Sequence, residues 1–150
     1  MRRALAGLSG PGFMVLGEDQ QRYWCKSLNN FQGERVPITE QIVGRLGKLI
    51  EAPVCECALI KLDDIAGWEI RPGTGRLTEP GFAHGSAALE PVLETRELKH
   101  RSDDDNRRRH CGLYALSDWL YGGDLQWLRA TAEDNAYYSH DHGYFLTGPE

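Results

Sequence analysis

The order of hydrophobic patterns along the chain predicts an α+β fold. Three observations carry this: a paired period-2 pattern over 13–28, one helical pattern from Pro37 to about residue 50, and strand patterns at 54–62 and again ahead of residue 146. At 150 residues the chain has the length of one domain, enough to bury roughly two-thirds of its unfolded surface. Its 41% hydrophobic and 26% charged residues are those of an ordinary globular protein.

The elements follow in order. A glycine-rich stretch, GLSGPG (7–12), leads into FMVLG (13–17), a polar turn EDQ, and QRYWCKSL (21–28), which together read as a β-hairpin. In its second strand Tyr23 and Cys25 share one face, and Trp24 and Lys26 the other. Pro37 stands in the first turn of the following helix, where its missing N–H costs nothing. Ile38, Ile42, Leu46 and Leu49 then mark one apolar face. A second stripe, Glu40, Gly44 and Gly47, runs along another side of the same helix. Two helical glycines cost about 1 kcal/mol each relative to alanine, so a close neighbour is expected there, with Glu40 facing it. VCECALIKL (54–62) is a strong strand. Residues 63–102, rich in Gly and Pro, are expected to hold loops, a short strand and a short helix.

Arg107-Arg108-Arg109 follows Asp103-Asp104-Asp105, so the charges cancel locally and 101–109 reads as a solvated loop. CGLYALSDWLYGG (111–123) is a helix closed by a glycine pair, with Leu113, Leu116 and Leu120 on one face. The segment DLQWL (124–128), a polar turn TAEDN and the strand-turn AYYSHDHGYFL (136–146) complete the described pattern.

The formal net charge of −5 argues against direct nucleic-acid binding, which calls for a basic surplus. No stretch approaches the ~20 apolar residues of a membrane span, and the apolar part of MRRALAGLSG is too broken for a secretory signal. Cysteines at 25, 55, 57 and 111 read as reduced thiols, and a cytoplasmic location is the expectation.

Candidate chemistry gathers at a few residues. Lys26 is either an edge-strand guard against aggregation or, with Glu40 as its carboxylate partner, a fixed cation for a phosphate oxygen. Asp124 is either a turn residue beside Gly122-Gly123 or a general base in partly apolar surroundings, with Trp119, Leu125, Trp127 and Leu128 nearby. The cluster His140-Asp141-His142 reads as a surface turn, as a zinc site, or as a turn in which Asp141 is a hard oxygen ligand for magnesium and Gly143 lends conformational freedom. Phosphoryl transfer needs this ordered set: a phosphate cradle, a cation and its anchor, a hydroxyl-orienting base and a metal ligand.

In LSGPGFMVLGEDQQRYWCKSL, VPITEQIVGRLGKLIEAPVCECALIKL and GLYALSDWLYGGDLQWLRATAEDNAYYSHDHGYFL the chain resembles the HipA-like kinase family, which has a protein-kinase-like fold. The resemblance implies a single domain over 1–150. Its N-terminal antiparallel sheet with one helix would be N-lobe-like over about 1–100, and a small, truncated helical part C-lobe-like over about 105–150. It implies an ATP- and magnesium-dependent phosphotransferase acting on a hydroxyl, a serine or threonine of a protein. Ser9 and Gly10 would lie over the nucleotide phosphates, Lys26 would contact them with Glu40 as its partner, Asp124 would be the catalytic aspartate, and Asp141 the magnesium ligand. Arg129 stands where the family places a metal-binding asparagine, leaving Gln126 as a substitute ligand. Gly122-Gly123 stand where kinases usually carry His-Arg before the catalytic aspartate. The alternatives are a catalytically inactive kinase-like module that binds nucleotide or protein, and a small metal-binding domain built on the histidines. Apolar surface in 111–128 leads to the expectation of a partner chain or self-association.

Overall fold

The computed structural model describes residues 12–62, 67, 69 and 77–147. Among these the fold is α+β: two antiparallel sheets and two helices. Strands β1 (Phe13–Leu16), β2 (Arg22–Ser27), β3 (Cys57–Lys61) and β4 (Phe82–Ala87) form a sheet ordered β1-β2-β4-β3, with helix α1 (Arg35–Leu49) inserted between β2 and β3. Strands β5 (Val92–Thr95), β6 (Trp127–Ala130) and β7 (Ala136–Ser139) form the second sheet, and helix α2 (Asn106–Trp119) precedes β6. None of the described helices is long and apolar enough to cross a membrane.

The hairpin pairs as its alternation requires, with Phe13 opposite Cys25 and Leu16 opposite Arg22. Phe13, Cys25, Leu62 and Ala83 form one buried cluster beneath the first sheet. The other face of that sheet carries Lys26 directly opposite His84, and Trp24 opposite Ser86. This polar face receives α1.

Helix α1 inverts the expectation drawn from its apolar stripe. Ile38, Ile42 and Leu49 are exposed, Leu49 at 79%, while Val36, Pro37, Glu40, Val43, Gly44 and Gly47 are buried. The glycine stripe is the contact face because the helix sits too close for side chains. A Cβ on Gly44 would lie 2.1 Å from Cys57 Sγ, and one on Gly47 would lie 2.5 Å from Val54 Cγ1. Val43 joins Ala52, Leu116, Leu120 and Phe145 in a cluster bridging the two helices. Leu46 covers part of that cluster, which is all the stripe contributes.

Two expectations for the middle of the chain change. Residues 82–95 supply two strands, β4 and β5, where one short strand is expected, while residues 63–66, 68 and 70–76, to which the expected short helix also extends, lie outside the described residues. Residues 106–109 form the first turn of α2, not a loop. Asn106 explains that early start: fully buried, it donates to the His100 and Asn135 carbonyls at 2.9 and 3.0 Å and accepts from the Tyr137 N–H at 3.3 Å. The basic residues beside it face outward, Arg109 to Asp104 and Arg108 to Glu51. The leucine face of α2 is buried as its spacing predicts, whereas Tyr114, Trp119 and Tyr121 are exposed.

The two halves are tied through residues 53–55. Ser139 N–H donates to the Pro53 carbonyl at 2.7 Å, and Cys55 N–H donates to the Ser139 carbonyl at 3.3 Å. This fixes where β7 ends relative to α1.

Gly47→Ala tests the inverted helix. The added methyl meets stiff, β-branched Val54, an overpacking cost of about 1–3 kcal/mol that exceeds the propensity gain of about 1 kcal/mol. Urea denaturation should show a net loss of stability. Leu49→Ala, by contrast, should stay within about 0.5 kcal/mol of the parent. The reverse ranking would mean that the isoleucine–leucine stripe is the buried face.

Candidate functional site

The site is assembled from three elements. Strand β2 projects Trp24 and Lys26 towards α1, α1 presents Glu40 from its first turns, and the chain leaving β7 presents Asp141. Lys26 Nζ lies 2.5 Å from Glu40 Oε1 and 2.5 Å from Asp141 Oδ1. The Glu40 side chain is 4% exposed and that of Lys26 12%, while Asp141 keeps 29%. Lone buried charges are costly, so the three stand or fall as a set. Burial alone would lower the Lys26 ammonium, but the charges of Glu40 and Asp141 outweigh it and the net direction is upward. Burial likewise raises the Asp141 carboxyl, and Lys26 reverses this, so the carboxyl is lowered and stays ionised.

Glu40 is satisfied at its second oxygen as well. Oε2 accepts the His142 backbone N–H at 3.0 Å, with His142 Nδ1 at 3.7 Å and His84 Nε2 at 3.8 Å. Burial pushes His84 down to about 4 and His142 to about 3, and lowers His140 too. All three rings are therefore neutral at pH 7.

This cluster forms one wall of a cavity of about 350 Å³. Lys26, Glu40, His84, Ser86, Glu94, His140 and Asp141 supply its polar part, and Trp24, Leu89, Val92 and Leu128 its apolar part. The cavity thus offers a cation, a partly open carboxylate and a further acidic side chain, Glu94, together with an apolar lining. With Lys26 outnumbered by acidic side chains, that composition suits an amphiphilic small ligand whose polar end brings a cation.

Of the residues singled out from the sequence, Lys26, Glu40 and Asp141 converge. Ser9 and Gly10 lie outside the described residues. Asp124 does not line the cavity. It is exposed, 2.6 Å from Arg96 Nη2, and accepts from Gln126 Nε2 at 2.8 Å. The apolar neighbours that suggested a shielded base do not enclose it, since Trp119 points to solvent. Gln126 spends its amide on Asp124 and is likewise absent from the cavity lining. Arg129 donates to Asn135 Oδ1 at 2.6 Å, closing the β6–β7 turn. Among the described residues, no group of three or more His, Cys, Asp or Glu side chains could hold a metal ion, so the zinc reading of the histidine pair has no ligand set. Gly143 has no positive φ; its role is close approach, because a Cβ there would lie 2.8 Å from Val36 Cγ1. The left-handed residue of the turn is Asp141 itself, at φ 54°. Gln20 and Glu51 share that conformation in ordinary turns, so it does not by itself mark a site.

His84 falls in the weakly patterned stretch 63–102, where the sequence predicts no site residue. The only available signal was the alternation in FAHGSA, with small Ala83 and Gly85 on one face and polar His84 and Ser86 on the other. Comparison of the chain with protein-family models, with curated proteins and with solved structures finds no match.

The buried neutral histidines set an acid limit. Their folded pKa values lie below the unfolded value, so the unfolded chain binds protons first as pH falls. Stability is therefore full above about pH 6.5 and declines towards about pH 4, by at most about 1.4 kcal/mol per pH unit for each histidine. The contribution of Asp141 has the same sign but is lost lower, below its ordinary value of 3.8. Urea denaturation across this window should show the midpoint falling with acidification. A midpoint unchanged between about pH 6.5 and about pH 4 would contradict neutral, buried His84 and His142.

Proposed function

We propose that the chain is an ATP- and magnesium-dependent phosphotransferase of the HipA-like type, with a protein-kinase-like fold, acting on a hydroxyl such as a serine or threonine of a protein. One observation carries this reading: Lys26 Nζ held 2.5 Å from both Glu40 and Asp141 at the wall of a cavity that also has apolar lining residues. An ammonium anchored by a buried carboxylate keeps its charge and its aim, as a phosphate-binding lysine must. The order of elements along the chain is supporting, since α1 follows β2 and brings Glu40 to the lysine.

In this reading Lys26 binds phosphate oxygens, Glu40 holds Lys26, and the slot at Trp24, Leu89, Val92 and Leu128 takes the nucleobase. Asp141 fits a magnesium ion, being an ionised carboxylate partly open to the cavity; the metal would neutralise phosphate charge there. Asp124 would orient the acceptor hydroxyl only after leaving Arg96 and Gln126, since it is exposed and outside the cavity lining.

A second reading, nucleotide binding without turnover, is favoured by that same Asp124 geometry. Its carboxylate is already engaged by Arg96 and Gln126 outside the cavity lining, and Arg129 offers no metal ligand.

Lys26, Glu40 and Asp141 together carry one positive and two negative charges. The surplus negative charge disfavours a bare triphosphate, so binding should need the cation. Thermal unfolding with ATP should therefore show stabilisation only when magnesium is present, about 2.7 kcal/mol at a hundredfold excess over Kd. Asp141→Asn should abolish the magnesium dependence. An unchanged melting temperature with every nucleotide would sink both readings. Stabilisation without transfer of labelled phosphate to any protein, including the chain itself, would select the second.

A further inference from the structure

The buried histidines beside Glu40 have no role in the chemistry just described, although two of them face the same carboxylate oxygen from opposite elements. His84 comes from β4 and His142 from the turn after β7, and their nearest ring nitrogens lie 3.8 and 3.7 Å from Glu40 Oε2. Those distances exceed a hydrogen bond, so the contact is charge to dipole. Its sign depends on which nitrogen carries the proton.

The neighbours decide this. Arg45 can only donate, so the Gln41 carboxamide oxygen faces it, 2.9 Å from Nε and 3.3 Å from Nη2. That turns the Gln41 amide nitrogen onto His84 Nδ1 at 3.0 Å. Nδ1 therefore accepts, and the ring proton sits on Nε2, towards Glu40. For His142, Ser139 Oγ lies 2.8 Å from Nε2, and Phe145 packs edge-on against the ring at 5.0 Å. A hydroxyl can donate, whereas the Glu40 carboxylate can only accept. Ser139 therefore donates to Nε2, leaving the proton on Nδ1, again towards Glu40.

We propose that His84 and His142 are positioning residues: their N–H groups, together with the His142 backbone N–H, hold Glu40 Oε2 and so keep Oε1 on Lys26. The inference rests on the nucleotide-site reading and adds to it. Lys26 has two carboxylates to choose from, and Asp141 must be free if it is to serve a metal. Fixing Glu40 from behind keeps the lysine on Glu40 when Asp141 turns to another partner. The relay His84–Gln41–Arg45 further ties this orientation to the outer face of α1.

The test uses the intact chain with ¹⁵N-labelled histidine at neutral pH. Imidazole nitrogen shifts should show His84 protonated on Nε2 and His142 on Nδ1, and Glu40→Gln should move both rings. His84 protonated on Nδ1, or His142 on Nε2, would overturn the proposal whatever the protein binds. In the second arm, ATP affinity with magnesium is compared among wild type, His84→Leu and His84→Gln. Loss of the N–H should weaken binding about tenfold, and the glutamine, whose amide N–H stands near the position of Nε2, should recover most of it. Equal affinity in all three would overturn the positioning role. Absence of nucleotide binding in wild type would instead sink the nucleotide reading, and the ring tautomers would still decide the orientation of Glu40.

Discussion

A single ammonium group, Lys26 Nζ, sits 2.5 Å from two carboxylates that belong to different parts of the chain. Glu40 comes from α1 and Asp141 from the turn behind β7, 101 residues further on by the numbering. Neither carboxylate could be buried alone, because an unpaired charge in this setting costs several kcal/mol. The contact therefore fixes three things at once: the distance of α1 from the first sheet, the exit of β7, and the face of the sheet on which the cavity opens. Burial of the α1 glycines follows from it. A helix bringing Glu40 within reach of a strand lysine must lie close over that strand, and only Gly44 and Gly47 leave room for Cys57 and Val54.

That constraint also explains which parts of the structure were legible in the sequence. The hairpin, α1, the leucine face of α2 and the closing strand were visible because each repeats at the period of its element. So were Lys26 with Glu40 as its partner, and Asp141 as a metal-ligating carboxylate; the contact of Lys26 with Asp141 was not. The orientation of α1 was not visible in hydrophobicity alone. Ile38, Ile42 and Leu49 outweigh Gly44 and Gly47 on any apolar scale, yet the tight ion contact selects the small residues. The helix start at Asn106 was hidden because its cause is a set of long-range hydrogen bonds to residues 100, 135 and 137. Strand β4 was hidden because FAHGSA lacks the β-branched residues that mark strands.

The site residues divide along the same line. Those near in space to Lys26 but remote in sequence, such as His84 and Leu128, carry no local signature of their role. Asp124 shows the converse. Its sequence context, a glycine pair followed by Leu, Gln and Trp, suggested a shielded base, but the side chain faces solvent and pairs with Arg96. Apolar neighbours in sequence do not enclose a residue unless the backbone folds them over it.

The polarity of the cavity follows from how its charges are compensated. Glu40 has both oxygens engaged, Oε1 by Lys26 and Oε2 by the His142 backbone N–H, and is the most deeply buried carboxylate of the three charged groups. Asp141 shares the same lysine but keeps 29% of its side chain open. The surplus negative charge of the set therefore resides on the accessible aspartate and not on the enclosed glutamate. A cation entering the cavity meets that surplus first, and an anion is accepted only after it is neutralised. Neutral histidines are what make this distribution possible. If His84 were charged beside Glu40, the set would balance without any ligand, and the open carboxylate would lose its preference for a cation.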